Sequence, residues 1–154
     1  MDPLNHIINA DPSNISLSFL IEILNRYNNI RLFFEMNKLG ITYHEYQFLF
    51  YLYYEKNAIQ EDIAKIFRRN ESTITRALKK LEDKDLIRRE PDENNRRKNI
   101  VFLKENGIEL VKKIQEVNNE WEKEALSGFS KEEKENLKKA LKKIAVNSFK
   151  KDNI

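Results

Sequence analysis

Residues Asn70 to Glu90 read "NESTITRALKKLEDKDLIRRE" and contain neither glycine nor proline. At about 100° per residue, Leu78, Leu81 and Ala77 fall within about 60° of Ile74, a narrow apolar stripe on a helix. Ser72, Arg76 and Lys79 lie opposite, flanked by Thr73, Thr75 and Lys80. Asn70 is a favoured capping residue, so the spacing predicts a helix over Glu71–Lys84. Its wet face of hydroxyls and cations is concentrated toward the N-terminus.

On the N-terminal side, Ile59, Ile63, Ile66 and Phe67 give a shorter helix over Ile59–Phe67 with those four side chains inward. The turn "RRNES" joins the two helices. On the C-terminal side, "LIRREP" and "KNIVFL" alternate as strands and "DENNRR" supplies an Asn/Asp-rich hairpin loop. Helix, turn, helix and basic hairpin make a winged helix-turn-helix, in which the second helix enters the DNA major groove. Arginine can donate two bonds to guanine O6/N7, serine and threonine reach base edges or phosphates, and lysine neutralises phosphates. Arg96, Arg97 and Lys98 at the hairpin tip suit a narrow minor groove, where negative potential is enhanced. Taken singly, the helix is equally an ordinary surface helix and the hairpin an ordinary solvated loop. Taken together, in this order, they favour nucleic acid.

Around this lobe lie further helices. Asp11-Pro12-Ser13-Asn14 precedes a first helix expected from Ser13–Ser16 to Leu39, with Leu20, Ile23, Leu24, Tyr27, Ile30 and Phe34 at helical spacing and Gly40 as its left-handed end. Thr42 and Glu45 form a capping box, which makes the aromatic run after them a helix, Thr42–Tyr54, rather than a strand. A fifth helix is expected over Glu105–Leu126 with a seam of Leu110, Ile114, Val117, Trp121 and Ala125. Ser130 and Glu133 make a second capping box, opening a sixth helix with Leu137, Leu141, Ile144 and Ser148 along one side. The seams of the first, fifth and sixth helices suit a dimerisation platform and an intramolecular bundle alike. The expected class is therefore mainly α with a small two-stranded β wing. It forms a single domain over 1–154, with a DNA-binding lobe at 41–104 and dimerisation helices at 13–40 and 105–149.

With 154 residues, 3 Gly, 3 Pro and no Cys, the chain is too poor in breakers for a sandwich and lacks a disulfide framework or thiolate zinc site. The start, "MDPLNHIINADPSN", has no signal-peptide pattern, and the most apolar run, Tyr46–Tyr54, is too short to cross a bilayer. A cytoplasmic protein with no membrane partner is expected. The total charge is only +3, yet Lys65–Lys104 carries 13 Lys/Arg against 7 Asp/Glu, so the remainder is slightly acidic. That asymmetry points to a polyanionic partner. Enzyme chemistry finds little here. "HEYQF" at His44–Phe48 begins like a zinc-binding H-E-x-x-H helix, but Phe48 stands where the second histidine is needed. No glycine-rich phosphate loop or nucleophile motif is present, and no cofactor or metal is expected.

The stretch from Ala58 to Gly107 resembles the MarR family (multiple-antibiotic-resistance regulators), whose pattern runs Q-x-x-L-A, S-T-x-T-R, L-E-x-K-G-L-I-x-R, D-x-x-D-x-R, L-T-x-x-G. The resemblance is close over the central third, and the flanking helices agree in outline. It implies that Ser72, Thr73, Thr75 and Arg76 contact bases and phosphates. Arg89, Asp92 and Arg97 fall on the wing motif, with Arg97 rather than Arg96 reaching the minor groove. It implies a homodimer on a pseudo-palindromic operator in double-stranded DNA, acting as a ligand-responsive repressor. Its effectors would often be small aromatic acids; Tyr27, Phe34, Tyr43 and Tyr46 could line such a pocket, but aromatics on apolar helix faces are more often core residues, and no effector site is assigned. Three positions depart from the pattern. Asn95 replaces an aspartate, which predicts a looser wing; Asp85 stands in place of a glycine, at some backbone cost; and Lys104 replaces a capping threonine. The competing reading is a winged-helix protein-interaction or RNA-binding module, since a fold alone does not fix function.

Overall fold

The computed structural model describes residues 7–151. After a 3-10 turn at Pro12–Asn14 come helices α1 (Leu17–Lys38) and α2 (Tyr43–Glu55), strand β1 (Asn57–Ile59), and helices α3 (Gln60–Ile66) and α4 (Glu71–Asp83). Strands β2 (Ile87–Pro91) and β3 (Asn99–Leu103) follow, then helices α5 (Glu105–Ala125) and α6 (Lys131–Lys151). The chain divides between Asn118 and Asn119 into two compact units. No helix among the described residues is long and apolar enough to cross a membrane. The expected start of the first helix resolves to Ser16, whose hydroxyl accepts from the Phe19 amide. Residues 1–6, within the stretch whose order the sequence leaves open, lie outside the described residues.

Both expected capping boxes form. In the first, Thr42 Oγ1 accepts from the Glu45 amide while Glu45 accepts from the Thr42 amide. In the second, Ser130 and Glu133 exchange the same pair of bonds. Helices α1, α3 and α4 end alike, each with a left-handed residue after the cap: Gly40 (φ 69°), Arg68 (φ 49°) and Asp85 (φ 59°). The next amide in each case reaches back five residues, Ile41 to Met36, Arg69 to Ala64 and Leu86 to Leu81, which satisfies an orphan carbonyl. These tight stops fix the directions in which α2, α4 and β2 leave.

The wing strands β2 and β3 pair antiparallel from Ile87↔Leu103 to Pro91↔Asn99, as the alternation predicts. A third strand joins them. β1 pairs with β3 on its other edge, Asn57↔Phe102 to Ile59↔Ile100, giving the order β1-β3-β2. Ile59 is thus the end of this strand rather than the start of α3. Fully buried Leu49, Leu52, Ile63, Ile74, Leu78, Leu81, Ile87, Val101, Val111 and Ile114 make the core of the first unit, with Met36 supplied by α1. Gly107 is required where α5 begins: a Cβ there would lie 2.3 Å from the Leu86 carbonyl oxygen. Ile66, expected inward, is instead 54% exposed, because α3 ends at that residue and Phe67 takes the inward position against Phe48 and Tyr51.

Candidate nucleic-acid interface

α4 is held by its apolar stripe. Ile74, Leu78 and Leu81 have no exposed surface, and Ala77 packs half-buried against the same core. The opposite side is left in solvent: Ser72, Thr75, Arg76, Lys79 and Lys80 are exposed and Thr73 is half-buried. Asn70 caps the helix by accepting from the Thr73 amide at 2.8 Å and from the Ser72 hydroxyl at 3.0 Å. The N-terminal end of the helix thus has the Thr73 amide capped and Arg76 exposed one turn in, and the helix dipole there favours anions.

The individual side chains are differently committed. Arg76 donates through Nε to the Ser72 carbonyl, 3.3 Å, which turns its terminal NH2 groups outward. Lys79 pairs with Asp83 at 2.7 Å, and that hydrogen bond raises the ammonium pKa above its ordinary value. Thr75 is not free: its hydroxyl accepts from Gln60 Nε2 across the α3–α4 angle, 2.9 Å. In the wing, Arg96 and Arg97 are exposed, whereas Lys98 is half-buried and lies 3.4 Å from Glu61 on α3. Arg89, on the wing motif, is a structural residue bonded to Glu82 at 2.6 Å with its side chain 19% exposed.

The three departures from the family pattern are accommodated locally. Asp92 Oδ1 accepts from the Asn94 amide and Asn95 Oδ1 from the Arg97 amide, 2.9 and 3.2 Å. Two side-chain-closed turns thus hold the wing tip, and Asn95 serves the backbone where an acid would have served a neighbouring arginine. Asp85 carries the left-handed conformation expected of the glycine it replaces. Its carboxylate pairs with Lys104 and accepts from Asn106 Nδ2, so two of the departures compensate one another. The Lys104 hydrogen bond, partly offset by desolvation, keeps the Asp85 pKa below its usual value.

A second cation supports α4 from behind. Lys84, its C-terminal cap residue, donates to the Gly40 carbonyl at 2.9 Å and to buried Glu45 at 2.8 Å. Burial pushes the Glu45 pKa up, but the bonds from Lys84 and Thr42 outweigh it and hold the carboxyl below its ordinary range. Beside α4, between it and the start of α2, lies a cleft of about 750 Å³ with Phe48, Phe67 and Ala77 as apolar lining and Arg68, Arg69, Arg76 and Lys80 as cations. Gln60, Glu61 and the cleft lining at His44 escaped the sequence reading as site residues. Gln60 belongs to the quoted Q-x-x-L-A pattern, which was the only trace of it. Of the four aromatics considered for an effector, Tyr46 is buried, while Tyr27, Phe34 and Tyr43 are 51%, 60% and 44% exposed.

A helix-turn-helix with its second helix exposed and a hairpin attached defines a winged helix-turn-helix protein. The MarR family model matches residues 41–98. A protein of Bacillus subtilis (strain 168), the uncharacterized HTH-type transcriptional regulator YybA, is 32% identical over 113 residues, 73% of this chain and 75% of its own. The crystal structure of MarR aligns with a TM-score of 0.79 at 26% identity, covering 94% of this chain and 98% of its own. That of a Staphylococcus aureus MepR–DNA complex aligns at 0.69 and 29% identity, covering 87% and 99%. The chain belongs to the MarR family.

Proposed function

We propose that this chain is a sequence-specific, double-stranded-DNA-binding transcriptional regulator. It works in the cytoplasm as a homodimer on a pseudo-palindromic operator, represses by occlusion, and has no catalytic activity. One observation carries the reading: α4 buries Ile74, Leu78 and Leu81 completely while leaving Ser72, Arg76, Lys79 and Lys80 in solvent. Residues 41–104 act as the reading lobe, and the helices in 13–40 and 105–149 as the dimer platform. Ser72, Thr73, Thr75 and Arg76 face base edges and nearby phosphates, Lys79 and Lys80 neutralise phosphates, and Arg97, with Arg96 and Lys98, enters the minor groove. The DNA-bound MepR relative supports this assignment.

Selection of a preferred duplex from random DNA, followed by a salt titration on it, tests the reading. With about ten phosphates neutralised per dimer, log K falls against log salt with a slope near −9. A flat response with no sequence selected defeats it and favours a protein partner. The cleft beside α4 supports a ligand response by an amphipathic anion such as a small aromatic acid. Its cations Arg76 and Lys80 are the ones offered to DNA, so the ligand and the operator compete. Benzoate titrated into the DNA complex then releases the protein, and Lys80→Ala blunts the release.

A further inference from the structure

Thr75 is the one member of the exposed α4 face whose hydroxyl is engaged by another element. Its partner, Gln60, is the first residue of α3 and directly follows β1, whose last residue pairs with Ile100. The sheet therefore fixes where the Gln60 backbone sits, and the side chain spans to α4 with its Nε2 2.9 Å from Thr75 Oγ1. The Gln60 amide does not cap α3, whose cap residue makes no side-chain bond. Nor is it needed to hold the two helices together, since Ile63, Ala64, Ile74 and Leu78 are already buried between and beneath them. Gln60 Oε1 is buried without a hydrogen-bond partner. An orphaned acceptor costs about as much as one neutral hydrogen bond returns, so the amide contributes little net stability. Its consequence falls on Thr75.

A hydroxyl has one proton to give and lone pairs to receive. Once Gln60 donates into Thr75 Oγ1, the proton points away from α3. A helical threonine can send that proton to the carbonyl four residues back; among the described residues Thr75 makes no such bond, and its side chain stays exposed. We propose that Gln60 is a positioning residue for DNA reading, its side-chain amide setting the Thr75 hydroxyl as an outward hydrogen-bond donor. The inference rests on α4 being the reading helix and names what one of its positions reads. A fixed donor prefers acceptors: guanine O6 and N7, adenine N7 or thymine O4, rather than the amino groups of cytosine and adenine.

The test uses the full-length protein and the operator recovered by selection, with each base pair of one half-site varied in turn. Gln60→Ala and Thr75→Val each flatten the profile at the same position, by about fivefold, and the double variant loses no more than either alone. Affinity for random duplex falls less than affinity for the operator in both. Gln60→Glu is the decisive variant. Its carboxylate accepts the Thr75 proton, turns the lone pairs outward, and shifts the preference at that position toward an amino-bearing base while weakening all duplexes uniformly. A merely structural role lowers the melting temperature and leaves every base profile intact; that result, or full additivity of Gln60→Ala with Thr75→Val, overturns the inference. If the wild type selects no sequence, the DNA reading itself fails and this inference with it. If the wild type selects one and Gln60→Glu keeps the wild-type preference, only this inference fails.

Discussion

Arg76 spends its Nε on the Ser72 carbonyl and keeps its terminal nitrogens, the two that a guanine edge requires, for something outside the chain. Arg76→Ala therefore costs about 1–3 kcal/mol on the preferred duplex and relaxes one position per half-site. Arg76→Lys does not restore it, because a point charge cannot reproduce a planar fork. Lys79→Ala, measured in the same competition assay, weakens specific and random DNA alike. Asp85 poses a different single-residue problem. It holds φ 59° without being glycine and relies on Lys104 and Asn106 to stay there. Asp85→Ala loses both the partners and the local tolerance, so it melts below the wild type, whereas Asp85→Gly removes the strain and recovers most of the loss. Thermal melts of the three proteins decide it. Here the sequence was informative up to a point. Asp85 and Lys104 each stood out as a departure from the family pattern, but their pairing spans 19 positions and depends on the close approach of α5 to Leu86 at Gly107. No local pattern encodes that approach.

Elements whose boundaries rest on local chemistry were legible: the capping boxes at Thr42 and Ser130, the Asn70 cap and the alternation in β2 and β3 all lie within a few residues of the backbone they organise. β1 was not, since three residues carry no periodicity and become a strand only because β3 offers a free edge. The polar ties between elements were equally hidden. Glu45, buried at the start of α2, meets Lys84 at the end of α4 across 39 positions. Its folded-state pKa lies below the ordinary 4.5, so its stabilising contribution is complete above that value and is lost as pH falls through the folded one. The stability advantage of the wild type over Glu45→Gln accordingly shrinks as pH is lowered from 6 to below about 4 in denaturant titrations. A constant advantage across that range removes Lys84 as the cause. Glu61 on α3 holds Lys98 of the wing in the same manner, at 3.4 Å, and places an acid beside the side proposed to face DNA. Glu61→Gln releases the lysine in each subunit and strengthens binding to every duplex, with the salt slope of the dimer steeper by about two units.

For the molecule as a whole, the charge asymmetry of the sequence and the apolar exposure of its first helix call for two partners. Leu17, Ile21, Leu24, Tyr27, Ile30 and Phe34 recur at helical spacing along α1 and are each 44–60% exposed, while Leu32 and Met36 on its other side meet the core. A continuous apolar stripe of this length is more than a monomer leaves in water, and it suits a second copy of the chain. The sequence showed Leu24, Tyr27, Ile30 and Phe34 in a seam with Leu20 and Ile23, which are half-buried, but not Leu17 and Ile21 nor the direction of the stripe. Periodicity says that a helix has an apolar side, never whether its own chain or another covers it. A charge in the middle of the stripe separates the alternatives. Tyr27→Asp leaves the core of the first unit untouched, so the far-ultraviolet circular dichroism is that of the wild type, while sedimentation at micromolar concentration shifts from dimer to monomer. Each monomer then engages one half-site, and the salt slope drops from near −9 to about half that, because half as many phosphates are neutralised in one binding event. A variant that sediments as a dimer places the interface elsewhere than α1, and a monomer that keeps the full slope overturns binding of the dimer to the operator as one event.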